Sequence, residues 1–597
     1  MCGIAGILTV NQYQEQLEQT IQRMQIALQH RGPDDAGIFI APQRQAALAH
    51  TRLSILDLSI AGHQPMSTSD GRYWITFNGE IYNFQQLRHD LIAQGEKFNS
   101  QTDTEVILKL YQRLGNVCVQ HLRGMFAFAI WDDLEKTCFL ARDPLGIKPL
   151  YYWQSGSALI FASELRAILA SRQPALNLSM EGLYGYLTNG SVPEPHTLIA
   201  GVHCLNAGHY LQWQGGELTQ KQYWQIDFTP EEITPEQARE QVRNALIDSI
   251  EHHFVSDVPV GVFLSGGIDS TTVVALARKT QTGILKTYSI GFEESKWNEG
   301  ETAAKIAHTF DTEHTQFTIT SSLGKALFPK YLETIDQPSV DGFNTFCVSQ
   351  LAREDGTKVV LSGLGGDELF GGYGSFQKIP KMVRLGKKVK AFSPLNIGLG
   401  MGLEYWGNSA QIRRIGDFLQ DTPNVQAAYR SFRGIFSHQE ACRIAHQYLP
   451  EKDLPLRQRQ HSLMSLPSLE DEVSWLEISG YMLNQLLRDS DVMSMSWGLE
   501  LRVPLVDRVL LETIASIPSN LRLMPQKKLL IESIPELPDW VINKQKRGFS
   551  FPFQEWIKDE WHECFTGLDS YKDIHLGIWY RRWSLALLKY WWQKVSQ

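Results

Sequence analysis

The sequence predicts two domains of different fold class, an α+β domain with antiparallel sheets and an α/β domain with a doubly wound parallel sheet. Residues 1–200 hold short alternating or apolar runs separated by Gly, Asn and Asp, which is typical of antiparallel strands. From about residue 255 an apolar strand, a glycine turn and a helix recur, which indicates parallel strands. From about residue 375 the apolar period is mostly helical. We therefore expect a helical extension at the carboxyl-terminal end of the second domain.

Length and composition indicate a multidomain globular protein. The 597 residues are too many for one hydrophobic core, and we place the domains at 1–225 and 226–597. The formal net charge of −9 argues against a nucleic-acid partner held by bulk electrostatics. No apolar run is long enough to span a bilayer, so we expect a cytoplasmic protein without a membrane partner.

Helix-like and strand-like segments alternate in the first domain. The stretches 16–30 and 83–95 have a helical pattern, and strand-like runs lie between and after them. The stretch 208–224 reads as a β-hairpin that closes the domain. These segments together predict that the first domain is of the α+β class.

Cys2, in the first strand-like segment, is a candidate for a catalytic residue. In MCGIAGILTV it has three interpretations: a lipidated cysteine, an ordinary strand residue, or a nucleophile at a new amino terminus. No basic or apolar signal region precedes it, which argues against lipidation after export. Loss of Met1 would leave the thiol beside its own α-amine, whose pKa of about 7.7–8.0 suits a general base. The segment alone leaves the strand residue and the nucleophile open.

The other six cysteines suggest no chemistry. The total of seven is odd, and the chain has neither a CxxC pair nor a histidine cluster at metal-ligand spacing. A disulfide framework or a zinc site is therefore not expected.

The second domain begins with a long amphipathic helix, predicted by TPEEITPEQAREQVRNALIDSIEHHF, and then presents a candidate phosphate loop. LSGGIDST, at 264–271, follows an apolar strand and precedes a helix, so its backbone amides would form an anion site at the helix amino terminus. The chain has no GxxxxGK[ST] motif, which excludes a Walker loop. A tight turn that needs glycine only for its backbone angles is the alternative.

A second glycine-rich loop makes the phosphate interpretation stronger. LSGLGGDELFGGY, at 361–373, also follows a strand. Asp269 in the first loop and Asp367 in the second would bring two carboxylates to neighbouring strand ends, where Mg²⁺ is held by one or two carboxylates plus phosphates. MgATP is the ligand that satisfies both loops.

Two segments of the carboxyl-terminal part are unusual in composition. A basic cluster within 378–390 is either a solvated helix face or a lid over an anionic substrate; it consists of Lys378, Lys381, Arg384, Lys387, Lys388 and Lys390. The aromatic-rich WYRRWSLALLKYWWQKV is expected to be a helix packed on the core.

These motifs in this order resemble the glutamine-hydrolysing asparagine synthetase family over nearly the whole chain. The resemblance rests on Cys2, RGPDD, NGEIYN and RDPLGIKPLYY in one half, and on SGGIDS and SGLGGDELFGGY in the other. It implies an α/β/β/α amino-terminal-nucleophile hydrolase joined to an adenylating domain of the ATP-pyrophosphatase type. The implied activity is an ATP-dependent carbon–nitrogen ligase that hydrolyses glutamine, amidates an aspartyl-adenylate and passes ammonia through an internal tunnel.

The resemblance also implies roles for residues of the first domain. Cys2 would be the nucleophile, and Asn78 and Gly79 would form the oxyanion hole. Arg52 would hold the α-carboxylate of glutamine, Asp103 its α-ammonium, and Glu80 would complete the glutamine site. Without Cys2, Arg52 would read as a surface ion pair and Asn78–Gly79 as a hairpin turn.

For the second domain the resemblance implies an ATP site, a magnesium site and a lysine that stabilises phosphate charge. ATP would contact Leu264, Ser265, Gly266, Gly267, Asp269, Ser270, Ile290, Ser362 and Gly363. Asp269 and Asp367 would hold Mg²⁺. Lys546, in NKQKRGFSFP, would be the lysine, with a solvated loop residue as the alternative.

One position departs from the family pattern. The residue after Ser362-Gly363, commonly acidic in the family, is Leu364, and Asp367 or Glu368 could substitute for it as a base. Two other functions therefore stay open: the same mechanism on another carboxylate, or nucleotide and glutamine sensing without turnover. The stretch DQPSVDGFNTF, at 336–346, lies where the acceptor pocket should be. The sequence does not fix the oligomeric state, for which a homodimer is one option.

Overall fold

The computed structural model describes residues 2–10, 17–294, 296–389, 393–453, 466–544, 551–571 and 573–596. Lys546 and Lys390, two residues singled out in the sequence, lie outside the described residues.

The described strands form three sheets. They are β1 Gly3–Leu8, β2 Asp35–Ile40, β3 Ala46–Arg52, β4 Met66–Ser67, β5 Tyr73–Ile81, β6 Gly124–Asp132, β7 Thr137–Arg142, β8 Tyr151–Ser155, β9 Ala158–Ala162, β10 Val202–Cys204, β11 His209–Gln214, β12 Glu217–Gln222, β13 Val260–Phe263, β14 Lys286–Phe292, β15 Glu313–Ile319, β16 Val359–Leu361 and β17 Glu500–Arg502.

The described α-helices fall into three groups along the chain. The first domain has α1 Leu17–Ala27, α2 Phe84–Ala93, α3 Asp103–Leu114, α4 Leu165–Ala170 and α5 Met180–Asn189. The parallel sheet is accompanied by α6 Pro235–His253, α7 Ile268–Thr280, α8 Gly300–Thr309, α9 Ser321–Thr334, α10 Phe343–Glu354 and α11 Gly366–Leu369. The carboxyl-terminal part has α12 Ser375–Val389, α13 Ser393–Trp406, α14 Ala410–Gln420, α15 Val425–Arg433, α16 His438–Tyr448, α17 Leu469–Leu476, α18 Arg488–Met495, α19 Arg508–Ala515, α20 Ser519–Arg522, α21 Lys528–Ser533, α22 Asp539–Ile542, α23 Phe553–Trp556 and α24 Trp579–Ser596, with a π-helix at Glu477–Leu487.

The first domain is an α/β/β/α sandwich, as the sequence predicts. Two six-stranded antiparallel sheets have the orders β10-β8-β9-β1-β3-β2 and β12-β11-β7-β6-β5-β4. Buried side chains from both sheets, among them Leu48, Trp131 and Trp213, fill the space between them. Helix α1 covers the outer face of the first sheet, and α2 with α3 covers that of the second. The predicted hairpin is confirmed as β11 and β12.

The second domain contains a five-stranded parallel sheet in the order β15-β14-β13-β16-β17, which confirms the predicted doubly wound class. The chain runs outward from β13 on one side and returns through β16 on the other. Ligands of such sheets bind where the strand order reverses, at the carboxyl ends of the strands. Both glycine-rich loops begin there, after β13 and after β16.

The carboxyl-terminal part is helical, and its last helix is a core element. The side chains of Trp583, Leu587 and Trp591 on α24 are almost completely buried, as expected from the sequence. The basic side chains of α12 are exposed, as a solvated face requires. None of the described helices is both long and apolar enough to cross a membrane.

Candidate functional site

Cys2 lies at the start of the central strand β1 and is 7% exposed. Its backbone nitrogen donates a hydrogen bond to Asn78 Oδ1 at 3.0 Å, and its carbonyl accepts one from Arg31 Nε at 3.0 Å. Burial raises the pKa of the Cys2 thiol, while the charge of Arg52 lowers it and that of Glu80 raises it. The fold therefore holds a desolvated thiol among the residues predicted to surround it.

Asn78 and Gly79 lie near the end of β5. Asn78 is completely buried, and among the described residues no acceptor lies within hydrogen-bond distance of its Nδ2. A Cβ atom at position 79 would lie 2.1 Å from the carbonyl oxygen of Met125, so only glycine fits against β6. Because a buried amide N–H without an acceptor is costly, this donor next to Cys2 is suited to a ligand oxygen.

Arg52 ends β3 and is largely buried. Its guanidinium donates to the carbonyl oxygens of Leu56, Asp57 and Ser59, at 3.2, 2.6 and 3.1 Å. The ion pairs of the described residues include no carboxylate within 4 Å of this guanidinium. A positively charged fork held by backbone oxygens can accept the carboxylate of a ligand.

Asp103 and Glu80 are the acidic residues of the first site. Asp103 accepts the backbone N–H of Ile81 at 2.9 Å, and burial raises its pKa to about 7. Burial raises the pKa of Glu80 well above its ordinary value, and its carboxylate lies 3.7 Å from the Arg502 guanidinium of the second domain. Glu80 therefore joins the first site to the domain interface.

The first glycine-rich loop connects β13 to α7. Ser270 Oγ accepts from the backbone N–H of Ser265 at 3.3 Å and lies 3.1 Å from Ser265 Oγ. Gly266 has a φ of +79°, and the nearest atom to a Cβ at Gly267 would be 3.5 Å away. The loop is thus closed by Ser270 and leaves open space at the amino terminus of α7. Leu264 and Ile290 are buried on the strands beside it.

The second glycine-rich loop touches the first one through its backbone. A Cβ at Gly363 would lie 2.7 Å from the backbone nitrogen of Ser270, and one at Gly366 would lie 2.3 Å from Asp269 Oδ1. The backbone N–H of Ser362 donates to the carbonyl of Arg502 at 2.9 Å. The residues assigned to ATP from two separate segments therefore lie in one place.

Lys527 is a site residue that the sequence did not reveal. Its Nζ lies 2.5 Å from Asp269 Oδ2 and also pairs with Asp367 Oδ1. Although burial alone would lower it, the two carboxylates raise the pKa of Lys527. The segment PQKKLL has no motif that marks Lys527, which reaches the site because its backbone is left-handed, with a φ of +58°.

Asp269 and Asp367 are a fit for a single magnesium ion. Their contact with one ammonium group means that both carboxylates can reach one cation. The described residues contain no group of three or more His, Cys, Asp or Glu side chains arranged for a metal. Two hard oxygen ligands, with phosphates and water to complete the shell, are what Mg²⁺ accepts.

The stretch 336–346 is held by the first domain. Asp336 accepts the backbone N–H groups of Leu165 and Arg166, at 2.8 and 2.9 Å. The side-chain oxygen of Gln337 accepts from the Leu198 N–H at 3.0 Å. The first domain therefore fixes the wall of the expected acceptor pocket.

Two acids face each other beside this wall. Ser339 Oγ donates to Asp489 Oδ2 at 2.6 Å, and burial together with the charge of Asp341 raises the pKa of Asp489 to about 8. Burial also raises the pKa of Asp341. A cavity of about 630 Å³ adjoins them, lined by Val340, Tyr481 and Gln485 among others. The expected acceptor stretch thus borders a space that a small molecule can enter.

Leu364 packs against the apolar core of the second domain. Glu368, four residues later, is 1% exposed and accepts a hydrogen bond from the Tyr373 hydroxyl at 2.8 Å. Burial, followed by the charge of Asp367, raises the pKa of Glu368 to about 7. The loop therefore holds an acid that can gain or lose a proton near neutral pH.

Arg31 joins the two domains and is completely buried. Besides the bond to Cys2, it pairs with Glu164 of the first domain and Asp491 of the second, each at 2.8 Å. Lys148 adds a second ion pair to Asp491 at 3.3 Å. Cys2 and the helix α18 are therefore connected through one guanidinium.

Known proteins match the chain through both domains. The glutamine amidotransferase domain family matches residues 1–224, and the asparagine synthase family matches residues 241–596. Glutamine-hydrolyzing asparagine synthetase 1 of Bacillus subtilis is 33% identical over 94% of this chain and 89% of its own length. A putative glutamine-hydrolyzing asparagine synthetase 2 of Methanocaldococcus jannaschii is 38% identical over 66% of this chain and 82% of its own length. A putative glutamine-hydrolyzing asparagine synthetase of Mycobacterium tuberculosis is 31% identical over 90% of this chain and 85% of its own length.

Asp489→Asn should flatten the dependence of stability on pH. The raised pKa means that the folded state keeps a proton that the unfolded chain releases, so stability falls as pH rises from about 4 to about 8. The loss is at most about 1.4 kcal/mol per pH unit from this group. Melting temperatures of wild type and variant across this range should diverge in slope. Asp311→Asn is the matched control, since its side chain is 98% exposed, and a variant slope equal to that of wild type would contradict the assignment.

Proposed function

This chain belongs to the glutamine-hydrolysing asparagine synthetase family, and we propose that it makes asparagine from aspartate, glutamine and ATP, releasing glutamate, AMP and pyrophosphate. In this proposal residues 1–225 hydrolyse glutamine and residues 226–597 activate aspartate and form the amide. The observation that carries it is the presence of two sites of different chemistry, one around Cys2 and one where the two glycine-rich loops meet, in domains that buried ion pairs join.

Glutamine hydrolysis begins at Cys2 after loss of Met1. The freed α-amine, kept in place by Asn78 Oδ1, accepts the thiol proton, which matters because burial raises the pKa of the thiol. The thiolate attacks the side-chain amide carbon of glutamine, and the protonated α-amine gives its proton to the departing nitrogen, which leaves as ammonia. Water then cleaves the thioester to glutamate and regenerates the thiol. The Asn78 Nδ2 group and the Gly79 N–H donate to the oxyanion, where one such donor is worth about 2.7–4 kcal/mol.

Arg52 and Asp103 orient glutamine at Cys2. The Arg52 guanidinium pairs with the α-carboxylate, since the carbonyl oxygens that hold it carry no full charge. Asp103 pairs with the α-ammonium, whose charge would offset the burial that raises the carboxyl pKa to about 7. Glu80 lies behind them and stabilises the contact with the second domain.

Adenylation takes place between the two glycine-rich loops. The amides of 265–267 bind the pyrophosphate part of ATP, and Leu264, Ile290, Ser362 and Gly363 lie against adenosine. The aspartate side-chain carboxylate attacks the α-phosphorus, and pyrophosphate leaves. Mg²⁺, held by Asp269 and Asp367, would neutralise phosphate charge when bound. Lys527 stabilises the same charge, with Lys546 assigned to the same task by family resemblance.

Ammonia then displaces AMP from the aspartyl-adenylate. We infer that it travels inside the protein, because ammonia released into water near pH 7 would be protonated and would lose its nucleophilicity. The attacking nitrogen must give up a proton, which Leu364 cannot accept. Glu368 supplies the missing acid–base group in this proposal, since its pKa of about 7 allows it to accept the proton.

The purified protein with aspartate, glutamine and MgATP should yield asparagine with equal amounts of AMP and pyrophosphate, measured by mass spectrometry. Glutamate without asparagine would contradict the proposed acceptor and would direct the search to another carboxylate.

Cys2→Ala should abolish glutamine-dependent synthesis and spare synthesis from ammonia. The variant lacks the nucleophile but retains the site at which the two glycine-rich loops meet. Cys564→Ala, at a partly exposed cysteine of the second domain, should keep both activities. Equal loss of both activities in Cys2→Ala would contradict the assignment of two sites.

Lys527→Met should lower pyrophosphate release by roughly 10²–10³-fold with either nitrogen donor, because phosphate charge loses a buried cation. Glutaminase activity should remain. Lys528→Met is the matched control, since that neighbouring lysine is 57% exposed. A normal rate of pyrophosphate release in Lys527→Met would refute the role.

Glu368→Gln should lower asparagine formation by roughly 10²–10⁴-fold at a fixed concentration of unprotonated ammonia. The change in the rate of asparagine formation near pH 7 should disappear from the pH profile, while ATP–pyrophosphate exchange persists. Tyr373→Phe is the companion variant, since it removes the hydrogen bond to Glu368 but no charge. In this variant the change in rate should still occur, but at a different pH. An unchanged pH profile in Glu368→Gln would exclude Glu368 as the base.

A further inference from the structure

Helix α13 has an inverted distribution of polarity for a helix at the surface. Its exposed side chains between 396 and 406 are all apolar or aromatic: Ile397, Leu399, Met401, Tyr405 and Trp406. Trp406 is 76% exposed. The one charged residue of the helix, Glu404, points inward and accepts hydrogen bonds from Gln420 and Gln439. A surface helix of a globular protein normally has the opposite arrangement.

The packing of α13 fixes this outward face. A Cβ at Gly400 would lie 2.8 Å from the Gly416 carbonyl oxygen, and one at Gly416 would lie 2.4 Å from the Glu404 nitrogen. The two helices α13 and α14 therefore touch through glycine backbone, which leaves no room for α13 to turn its apolar side inward. Ile412 and Ile415 of α14, 38% and 37% exposed, add to the apolar surface.

Helix α12 supplies a basic face next to this apolar one. Its exposed cations are Lys378, Lys381, Arg384, Lys387 and Lys388. Gly386 of α12 lies against Phe418 of α14, since a Cβ there would be 3.0 Å from the ring. Phe418 is two residues from Gly416, which contacts α13. Helices α12 and α13 thus both contact α14, and α12 carries five exposed cations in a chain whose net charge is −9.

We propose that the exposed face of α12, α13 and α14 docks reversibly on an anionic lipid surface. Exposed Leu, Ile, Met, Tyr and Trp side chains beside a lysine-rich face are the pattern of elements that lie in the membrane interface. Trp and Tyr rings favour the headgroup level, and each lysine near an anionic surface adds to the attraction. This inference departs from the sequence expectation of no membrane partner.

The chemistry favours lipid over a protein partner. A protein interface has a polar rim whose hydrogen bonds the partner completes, whereas the described exposed side chains of α13 offer only the Tyr405 hydroxyl and the Trp406 indole N–H as polar groups. Arg384 pairs with Glu470 at 3.2 Å, so the attraction to a negatively charged surface comes chiefly from the four exposed lysines of α12.

The test is co-sedimentation of the full-length protein with vesicles. Phosphatidylcholine vesicles that contain phosphatidylglycerol should bind it, and phosphatidylcholine alone should bind it weakly. Added salt should reduce binding, since the attraction between exposed charges is screened. Lys381→Glu with Lys388→Glu should weaken binding by roughly tenfold or more. Met401→Ser with Trp406→Ser should weaken it on both vesicle types.

Matched controls separate this surface from general charge and hydrophobicity. Lys97→Glu with Lys221→Glu reverses two exposed lysines of the first domain, and Ile284→Ser removes an apolar side chain that is 81% exposed. Both should bind anionic vesicles as wild type does. Asparagine synthesis should be unchanged in all these variants, since none of the substituted residues belongs to either site.

Three results would overturn the proposal. Failure of wild type to bind anionic vesicles would exclude a lipid partner, as would equal binding by the surface variants and the controls. A change in oligomeric state without vesicles, seen only in Met401→Ser with Trp406→Ser, would assign the face to a second copy of this chain instead.

Discussion

The burial of Arg31 is the constraint on which the arrangement of the two sites depends. A charge without access to water must be paired, and removal of one partner leaves an uncompensated charge at a cost of several kcal/mol. Arg31 meets this requirement with Glu164 from its own domain and Asp491 from the other. The same guanidinium holds the carbonyl of Cys2. The docking of the domains and the position of the nucleophile are therefore fixed together.

The interface also holds the stretch 336–346, where we expect the acceptor pocket, between both domains. Asp336 and Gln337 belong to the second domain, yet their side chains are satisfied by backbone groups of the first. Arg502, a residue of the second domain, contacts the first domain. Its carbonyl oxygen accepts a hydrogen bond from the Ser362 N–H, and its guanidinium lies 3.7 Å from the Glu80 carboxylate, next to Asn78 and Gly79. Neither domain would present the same site alone, which suits a reaction whose nitrogen passes from one domain to the other.

The replacement of the usual acid by Leu364 is explained by packing and not by a change of architecture. Leu364 joins the apolar core, while Glu368 and Tyr373 of the same loop form a buried acid–hydroxyl pair. Glu368, one helical turn later, is therefore the residue that we propose in place of the acid that the family has at position 364. The helical extension supports this pair, since the Arg433 guanidinium lies 4.2 Å from the centre of the Tyr373 ring.

The sequence by itself determined the fold class of both domains, the two glycine-rich loops and the candidate nucleophile. These are local properties: strand and helix periods, glycines that must accept close contacts, and a cysteine after a removable methionine. Only the tertiary structure decided which distant residues complete each site. Lys527 reaches Asp269 and Asp367 from a segment without a motif, Asp489 meets Asp341 across 148 positions, and Arg31 pairs with Asp491 across the domain interface. Such pairings depend on burial and on long-range packing. Burial raises or lowers pKa values, and a buried charge is stable only when it is paired. No local sequence pattern encodes either effect.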